Sequence, residues 1–385
     1  MEGFFVMYLF RILVVLITTG CGLFLDTNGS NENRPVSLCQ KGSKRGLAII
    51  TQKDFSSSAS VYFMDKSSRS AYLVSESQST DVFIERLDST FAIFNRSKAN
   101  LNYSIGDMSS DLVTLSRQNS NEAMNAYDPT GVAQIGCSHL VLTNRSAKKL
   151  ILLNIETNES TEIETSLLKP FDIRKINVNE KKFLVVTSQG TTDAFEADGS
   201  QSLEVFQVNE NVLDKTVSLT STFYSSTGST HPVIVSSEGE QVYIGGPCSV
   251  NDTESCTSVI QRLDLIDNIL TDLVDISALG YGFEFVEATT VGKTTSHVLL
   301  QAAKNDAYFI IELDLNDNSV NEVHEFDKEH RNSFGFELSA FGYSSVLEAY
   351  YIGEMRPEGD FLLLIDEGGV KESISFENFF TLFHN

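Results

Sequence analysis

Three carboxylates in this chain share one local setting. Asp172 lies in Lys169-Pro170-Phe171-Asp172-Ile173, Glu284 in Tyr281-Gly282-Phe283-Glu284-Phe285 and Glu337 in Phe334-Gly335-Phe336-Glu337-Leu338. Each follows a Pro or Gly by two residues and sits inside an apolar run. Like charges gathered in a recess favour a counter-ion, because neither water nor salt screens them fully there. The expected ligand is weakly held calcium or a cationic organic molecule, with Arg174 as a partner for one carboxylate. The same three groups also suit a water-filled entrance. No resident cofactor and no dedicated metal site are expected. The six histidines are scattered, and His139, His231 and His297 read as structural, with no second ligand at a useful spacing. Asp314-Leu315-Asn316-Asp317-Asn318 lacks the Gly and the distant Glu of an EF-hand loop and reads as an acidic turn. No GxSxG, HExxH, P-loop or GxGxxG pattern occurs, so no catalytic set is assigned.

The elements that must position these groups are short strands in a repeat. An apolar run restarts at Leu47, Phe91, His139, Lys182, Gln241, His297 and Glu348, at intervals of 44, 48, 43, 59, 56 and 51 residues. A second run follows each, at Ser60–Met64, Leu101–Ile105, Leu150–Ile155, Leu203–Val208, Val259–Leu265, Tyr308–Leu313 and Phe361–Ile365. Several of these end in an acid before a turn: Asp65, Glu156, Asp267, Asp314 and Asp366. Between His139 and Gly190 four strands can be read in succession before the pattern starts again. This is the unit of a β-propeller blade, whose repeats run to about 40–50 residues. The fold class expected is all-β, a seven-bladed β-propeller of four-stranded antiparallel blades. The innermost strand of each blade precedes each restart and begins after a Pro or Gly, which places Asp172, Glu284 and Glu337 around one channel mouth. The apolar tail 377–385, or Val36–Cys39, is expected to supply the strand that closes the ring.

These units resemble the YVTN-type propeller repeats of bacterial surface and lactonase-like proteins, best over residues 139–245. The resemblance implies the fold and leaves function open, since propellers host enzymes, receptors and scaffolds. A lactonase-like hydrolase would need His231, Arg174, Glu284 and Glu337 to converge at one mouth. The leading reading is a binding or scaffold module for a protein or small ligand. A purely structural envelope subunit is the third.

The N-terminus gives a cellular address. Phe4–Ile17 is apolar apart from Arg11 and leads into Thr18-Thr19-Gly20-Cys21. This resembles a bacterial lipoprotein signal peptide, with Cys21 as the lipidated residue. Met7 makes a more ordinary start than Met1. The expected organisation is a signal peptide over 1–20, lipidated Cys21 and a flexible tether over 21–35, polar and Asn-rich from Asp26 to Pro35, and a propeller over 36–385. The expected location is the bacterial cell envelope, periplasm-facing or at the cell surface. The partners are the membrane, through the lipid, and a protein of the envelope. Apart from Cys21 four cysteines remain, an even number that fits an oxidising compartment. Cys248 and Cys256 bracket a polar loop and read as a local disulfide, which leaves Cys39 and Cys137 for each other. The formal net charge is −24, which argues against nucleic acid as a partner. Asn-x-Ser/Thr triplets at Asn28, Asn95, Asn102, Asn144, Asn158 and Asn251 read as turn chemistry.

Overall fold

A computed structural model describes residues 37–39, 46–51, 58–78, 82–95, 102–108, 112–119, 129–188, 202–211, 216–225, 233–238, 241–245, 259–267, 269–281, 289–291, 293–294, 296–305, 307–327, 341–356, 359–376 and 380–382. All lie in the second of two units of the chain, Pro35–Asn385. They form seven four-stranded antiparallel sheets and no α-helix. The first contains β1 (Gly46–Thr51), β2 (Ala59–Asp65) and β3 (Ala71–Gln78). The second is β4 (Val82–Arg86), β5 (Phe91–Asn95), β6 (Asn102–Asp107) and β7 (Thr114–Asn119). The third is β8 (Val132–Gln134), β9 (His139–Asn144), β10 (Lys149–Asn154) and β11 (Glu159–Glu164). The fourth is β12 (Pro170–Val178), β13 (Lys181–Ser188), β14 (Ser202–Asn211) and β15 (Thr216–Ser225). The fifth is β16 (Val233–Glu238), β17 (Gln241–Gly245), β18 (Val259–Asp264) and β19 (Ile269–Asp275). The sixth is β20 (Thr289–Val291), β21 (His297–Lys304), β22 (Ala307–Asp314) and β23 (Val320–Phe326). The seventh is β24 (Phe341–Ser344), β25 (Ala349–Arg356), β26 (Gly359–Asp366) and β27 (Gly369–Phe376). In sheets two to seven the strands pair in chain order. The first strands lie side by side: β8 touches β12, β12 touches β16, β16 touches β20 and β20 touches β24. They form the inner edge, and the fourth strands form the rim.

The second strand of each sheet reads as an unbroken apolar run because both of its faces are buried. In β1, Leu47 and Ile49 point into a core shared with the seventh sheet. Ala48 and Ile50 point into a core shared with the second. The same division recurs between sheets two and three, three and four, four and five, five and six, and six and seven. Each sheet therefore completes a core with both neighbours, and the last does so with the first. The rim strands have one wet face. In β11, ESTEIE, no residue is fully buried, which is why that strand reads weakly in the sequence. Its glutamates also guard an edge that could otherwise pair with another chain.

The ring is closed by the tail. β28 (Phe380–Leu382) pairs antiparallel with β1, in the register Ile49↔Leu382, Ile50↔Thr381 and Thr51↔Phe380. It takes the inner place in the first sheet, so that sheet joins the two ends of the chain. Leu38, the other candidate for closure, docks elsewhere. It is wholly buried in the core between the second and third sheets.

A recurring turn links the third strand to the rim strand. Asp65 Oδ1 accepts from Ser67 N at 2.9 Å, Asn154 Oδ1 from Glu156 N at 2.9 Å, Asp264 Oδ1 from Ile266 N at 2.9 Å, Asp314 Oδ1 from Asn316 N at 2.9 Å and Asp366 Oδ1 from Gly368 N at 2.8 Å. In four of these turns the chain then passes through a left-handed residue: Arg69, Asn158, Asn318 or Gly369. A short side-chain acceptor that mimics a backbone turn, followed by a residue tolerant of positive φ, is what such a hairpin requires. Two of the expected turn acids are corrected: the acceptors are Asn154 rather than Glu156, and Asp264 rather than Asp267. The acceptor must stand at the strand end, ahead of the amides it receives.

Candidate functional site

The inner strands of sheets two, three and four bring ionisable groups together. β4 carries Glu85 and Arg86 and is followed by Asp88. β12 carries Asp172, Arg174 and Lys175. Between them β8 contributes only Val132, Ala133 and Gln134. Arg174 Nη1 donates to Glu85 Oε1 at 2.9 Å, a contact between the second and fourth sheets. Arg174 Nε lies 3.8 Å from Asp172 Oδ2. Lys175 Nζ donates to both oxygens of Asp88, to Oδ1 at 2.7 Å. Of these groups Arg86, Asp88, Arg174 and Lys175 line a cavity of about 470 Å³, together with Gln134 and Asn177 among others. That is large enough for a small organic ligand.

The sequence folds this way locally for identifiable reasons. Gly131, just ahead of β8, lies so close to β12 that an added Cβ would stand 3.0 Å from Ile173 N and from Phe171 O. Thr143 on β9 pins the beginnings of β8 and β12: its Oγ1 accepts from Gly131 N at 2.8 Å and donates to Phe171 O at 3.1 Å. β12 carries a register irregularity between Pro170 and Ile173. There Asp172 N–H donates to Thr187 Oγ1 at 3.3 Å, and Asp172 Oδ1 accepts from Ile173 N at 2.8 Å. The rim of the cavity is braced as well. Asp88 N–H donates to Gln134 Oε1 at 3.0 Å, and Gln134 Nε2 to Gly136 O at 3.0 Å. Ser89 Oγ donates to Leu38 O at 2.6 Å, Leu38 N–H donates to Cys137 O at 3.0 Å, and Cys39 is disulfide-bonded to Cys137 with the Cα atoms 4.9 Å apart. The Cys39–Cys137 pair therefore ties the N-terminal segment to the turns that form this rim.

Electrostatics follow from the enclosure. Burial raises the Glu85 carboxyl above its ordinary value of 4.5, against the lowering effect of Arg174, and Asp172 adds to the rise. Burial would lower Arg174, but the carboxylates of Glu85 and Asp172 outweigh it and raise the guanidinium further. Arg86 is exposed to water, yet its recess lowers it through desolvation, which nearby Tyr351 and Asp88 counter in part. Among the described residues no carboxylate stands within salt-bridge distance of Arg86, since Glu85 is engaged by Arg174 and Asp88 by Lys175. Tyr351 reaches the same neighbourhood across Gly342, and burial raises its hydroxyl.

Of the residues singled out in the sequence, the structure brings together Asp172 and Arg174. Cys21, Cys248, Cys256, His231, Glu284 and Glu337 lie outside the described residues. The described parts of the inner strands of sheets six and seven are Thr289–Val291 and Phe341–Ser344. Among the described residues no cluster of His, Cys, Asp and Glu is arranged to hold a metal ion, and no helix is long and apolar enough to cross a membrane. Glu85, Arg86, Asp88 and Lys175 were not singled out in the sequence. The available signal was Val82-Phe83-Ile84, an apolar run just ahead of the Phe91 restart. It has no Pro or Gly before it and so does not fit the rule that marks the other inner strands. Two of the Asn-x-Ser/Thr sites serve as turn residues: Asn144 Oδ1 accepts from Ala147 N at 3.2 Å, and Asn158 takes a positive φ while accepting from Tyr103 Oη at 2.8 Å.

No protein-family model and no curated protein matches the chain. Solved structures do match it in fold. A putative 6-phosphogluconolactonase from Bacteroides fragilis superposes with a TM-score of 0.55 at 13% identity, covering 88% of this chain and 98% of that one. The periplasmic gluconolactonase of Pseudomonas aeruginosa gives 0.55 at 12% identity, over 88% and 99%. The β-propeller domain of the Trilobed protease from Pyrococcus furiosus gives 0.52 at 11% identity, over 87% and 96%. At these identities the likeness establishes the fold: the chain is an all-β protein of the β-propeller type.

Proposed function

We propose that this chain is a seven-bladed propeller that serves as a binding module for a small ligand, received in the recess between β4, β8 and β12. The observation that carries this reading is a cavity of about 470 Å³ at the inner edge with Arg86, Asp88, Arg174 and Lys175 in its lining, Arg174 being held by Glu85 of the second sheet at 2.9 Å. A purely structural ring has no need of so many ionisable groups on its inner edge, where desolvating each one costs free energy. A screen by thermal shift tests it. Small ligands that raise the melting temperature of the wild type should fail to do so with Asn177→Trp, which narrows the recess from an exposed position of its lining without removing a charge. Ligands that shift both proteins equally would place binding elsewhere.

The second reading is a lactonase-like hydrolase. Two solved structures of this fold are described as gluconolactonases or putative 6-phosphogluconolactonases, and Glu85 is a carboxyl with a raised pKa beside a guanidinium. Such a carboxyl suits general acid–base work. Hydrolysis of gluconolactone by the wild type, abolished in Glu85→Gln, would establish it. Equal rates in the two proteins would remove Glu85 from any such role.

The module is held at the bacterial envelope through lipid on Cys21, with the polar stretch 26–35 in its tether. The Cys39–Cys137 disulfide supports an oxidising compartment. Cys21→Ser should move the protein out of the membrane fraction or leave it unprocessed, and unchanged mass and fractionation would refute the anchor.

A further inference from the structure

Among the described residues, the recess has one cation with no carboxylate in salt-bridge distance. Three cationic groups line it, and two are engaged: Arg174 by Glu85 and Asp172, Lys175 by Asp88. Arg86 differs. It stands at the end of β4, open to water, with no carboxylate in salt-bridge distance among the described residues. Its guanidinium offers a planar fork of N–H donors that matches the paired oxygens of a carboxylate or phosphate. The side-chain amide of Asn177, also exposed, and that of Gln134 lie on the same lining. We infer that Arg86 anchors a small oxyanion, a carboxylate- or phosphate-bearing molecule, in this recess. The inference rests on the reading of the recess as a ligand site and names the chemical class of the ligand. It runs against both the net charge of −24 and the cation expected from the acidic register of the sequence. At short range the nearest unpaired group decides, because the many carboxylates at the surface are screened over about 10 Å of salt solution.

The local architecture supports a built site rather than a stray surface arginine. Arg86 is carried on a strand, and the backbone beyond it is fixed by Leu87 N–H donating to Thr90 O at 2.8 Å and Asp88 N–H donating to Gln134 Oε1 at 3.0 Å. Asp88 gives both of its carboxylate oxygens to Lys175. Desolvation of Arg86 is in keeping with its place in a recess, where a paired oxyanion would be screened less than on an open surface.

Calorimetric titration of the full chain in detergent tests the inference. The probes are gluconate, inorganic phosphate, uncharged glucose, spermidine and calcium, each against the wild type, Arg86→Gln, Arg86→Lys and Asn177→Trp. Unchanged melting curves in the absence of probe serve as the control for folding. The expected result is binding of gluconate or of phosphate, the two arms telling carboxylate from phosphate. Affinity should fall roughly ten- to a hundredfold in Arg86→Gln, recover in part in Arg86→Lys, and vanish in Asn177→Trp. Oxyanion affinity unchanged in Arg86→Gln overturns the inference. Binding of glucose, spermidine or calcium alone, lost in Asn177→Trp, also overturns it while leaving the recess as the ligand site. Oxyanion binding that survives both Arg86→Gln and Asn177→Trp overturns the inference and the recess together, as does binding of no probe by a folded protein.

Discussion

At the scale of the residue, the inner edge depends on a few side chains with little freedom. Gly342 on β24 pairs with Tyr351 on β25, and a Cβ there would stand 2.2 Å from the Tyr351 hydroxyl. That ring is wholly buried and cannot swing aside. Gly342→Ala should therefore lose about 1–3 kcal/mol through overpacking, read as a lower urea midpoint with an unchanged slope. Glu85 gives a prediction in pH. Because burial raises its pKa above 4.5, the folded chain holds that proton more tightly than the unfolded chain. The contribution to stability is then present at low pH and is lost as pH rises through the raised value. Glu85→Gln is the reference that does not titrate. Between about pH 7 and about pH 4.5 the wild type should gain stability relative to it as pH falls. A parallel pH dependence of the two proteins would show that Glu85 is not perturbed.

At the scale of the element, the strands that were legible in the sequence are those buried on both faces. All seven restart runs fall on second strands, from β1 to β25, within one residue of their observed starts. Burial against two neighbours imposes a continuous apolar run, which stands out. Inner strands were less legible. β12 could be read through Pro170, whereas β4 has no such mark, and with it Glu85 and Arg86 were missed. The recess depends on pairings between residues 89 apart in sequence, Glu85 and Arg174, and no local pattern encodes that. Turns were partly legible, since an acidic or amide acceptor was expected at the strand end. Asp65 is a clean test: its carboxylate accepts from Ser67 N and Ser68 N at 2.9 and 3.4 Å. Asp65→Ala should lower stability by about 1 kcal/mol, while Asp65→Asn, which keeps the acceptor, should cost less. Equal losses in the two variants would show that the turn does not depend on the acceptor.

At the scale of the whole molecule, two links join segments distant in sequence. β28 returns the tail to β1, so removal of residues 377–385 takes away the inner strand of the first sheet and bares the edge of β1. The shortened chain should unfold at markedly lower urea and aggregate, because an open edge is a template for pairing; an unchanged midpoint would show that closure contributes nothing. The Cys39–Cys137 disulfide encloses 98 residues of sequence separation. Its removal in a Cys39→Ser, Cys137→Ser double variant should cost about 2–4 kcal/mol. It should also loosen the rim of the recess, where Leu38 and Ser89 meet. The central claim is that function resides in the recess at the inner edge and not on the rim strands. Hydrogen exchange of the full chain, with and without the low-mass fraction of its own envelope extract, tests this most directly. The account predicts slowed exchange confined to residues 84–90, 132–136 and 172–178. Protection confined to the rim strands β11, β19 and β23, or none in the low-mass fraction and protection there by a protein instead, would contradict it.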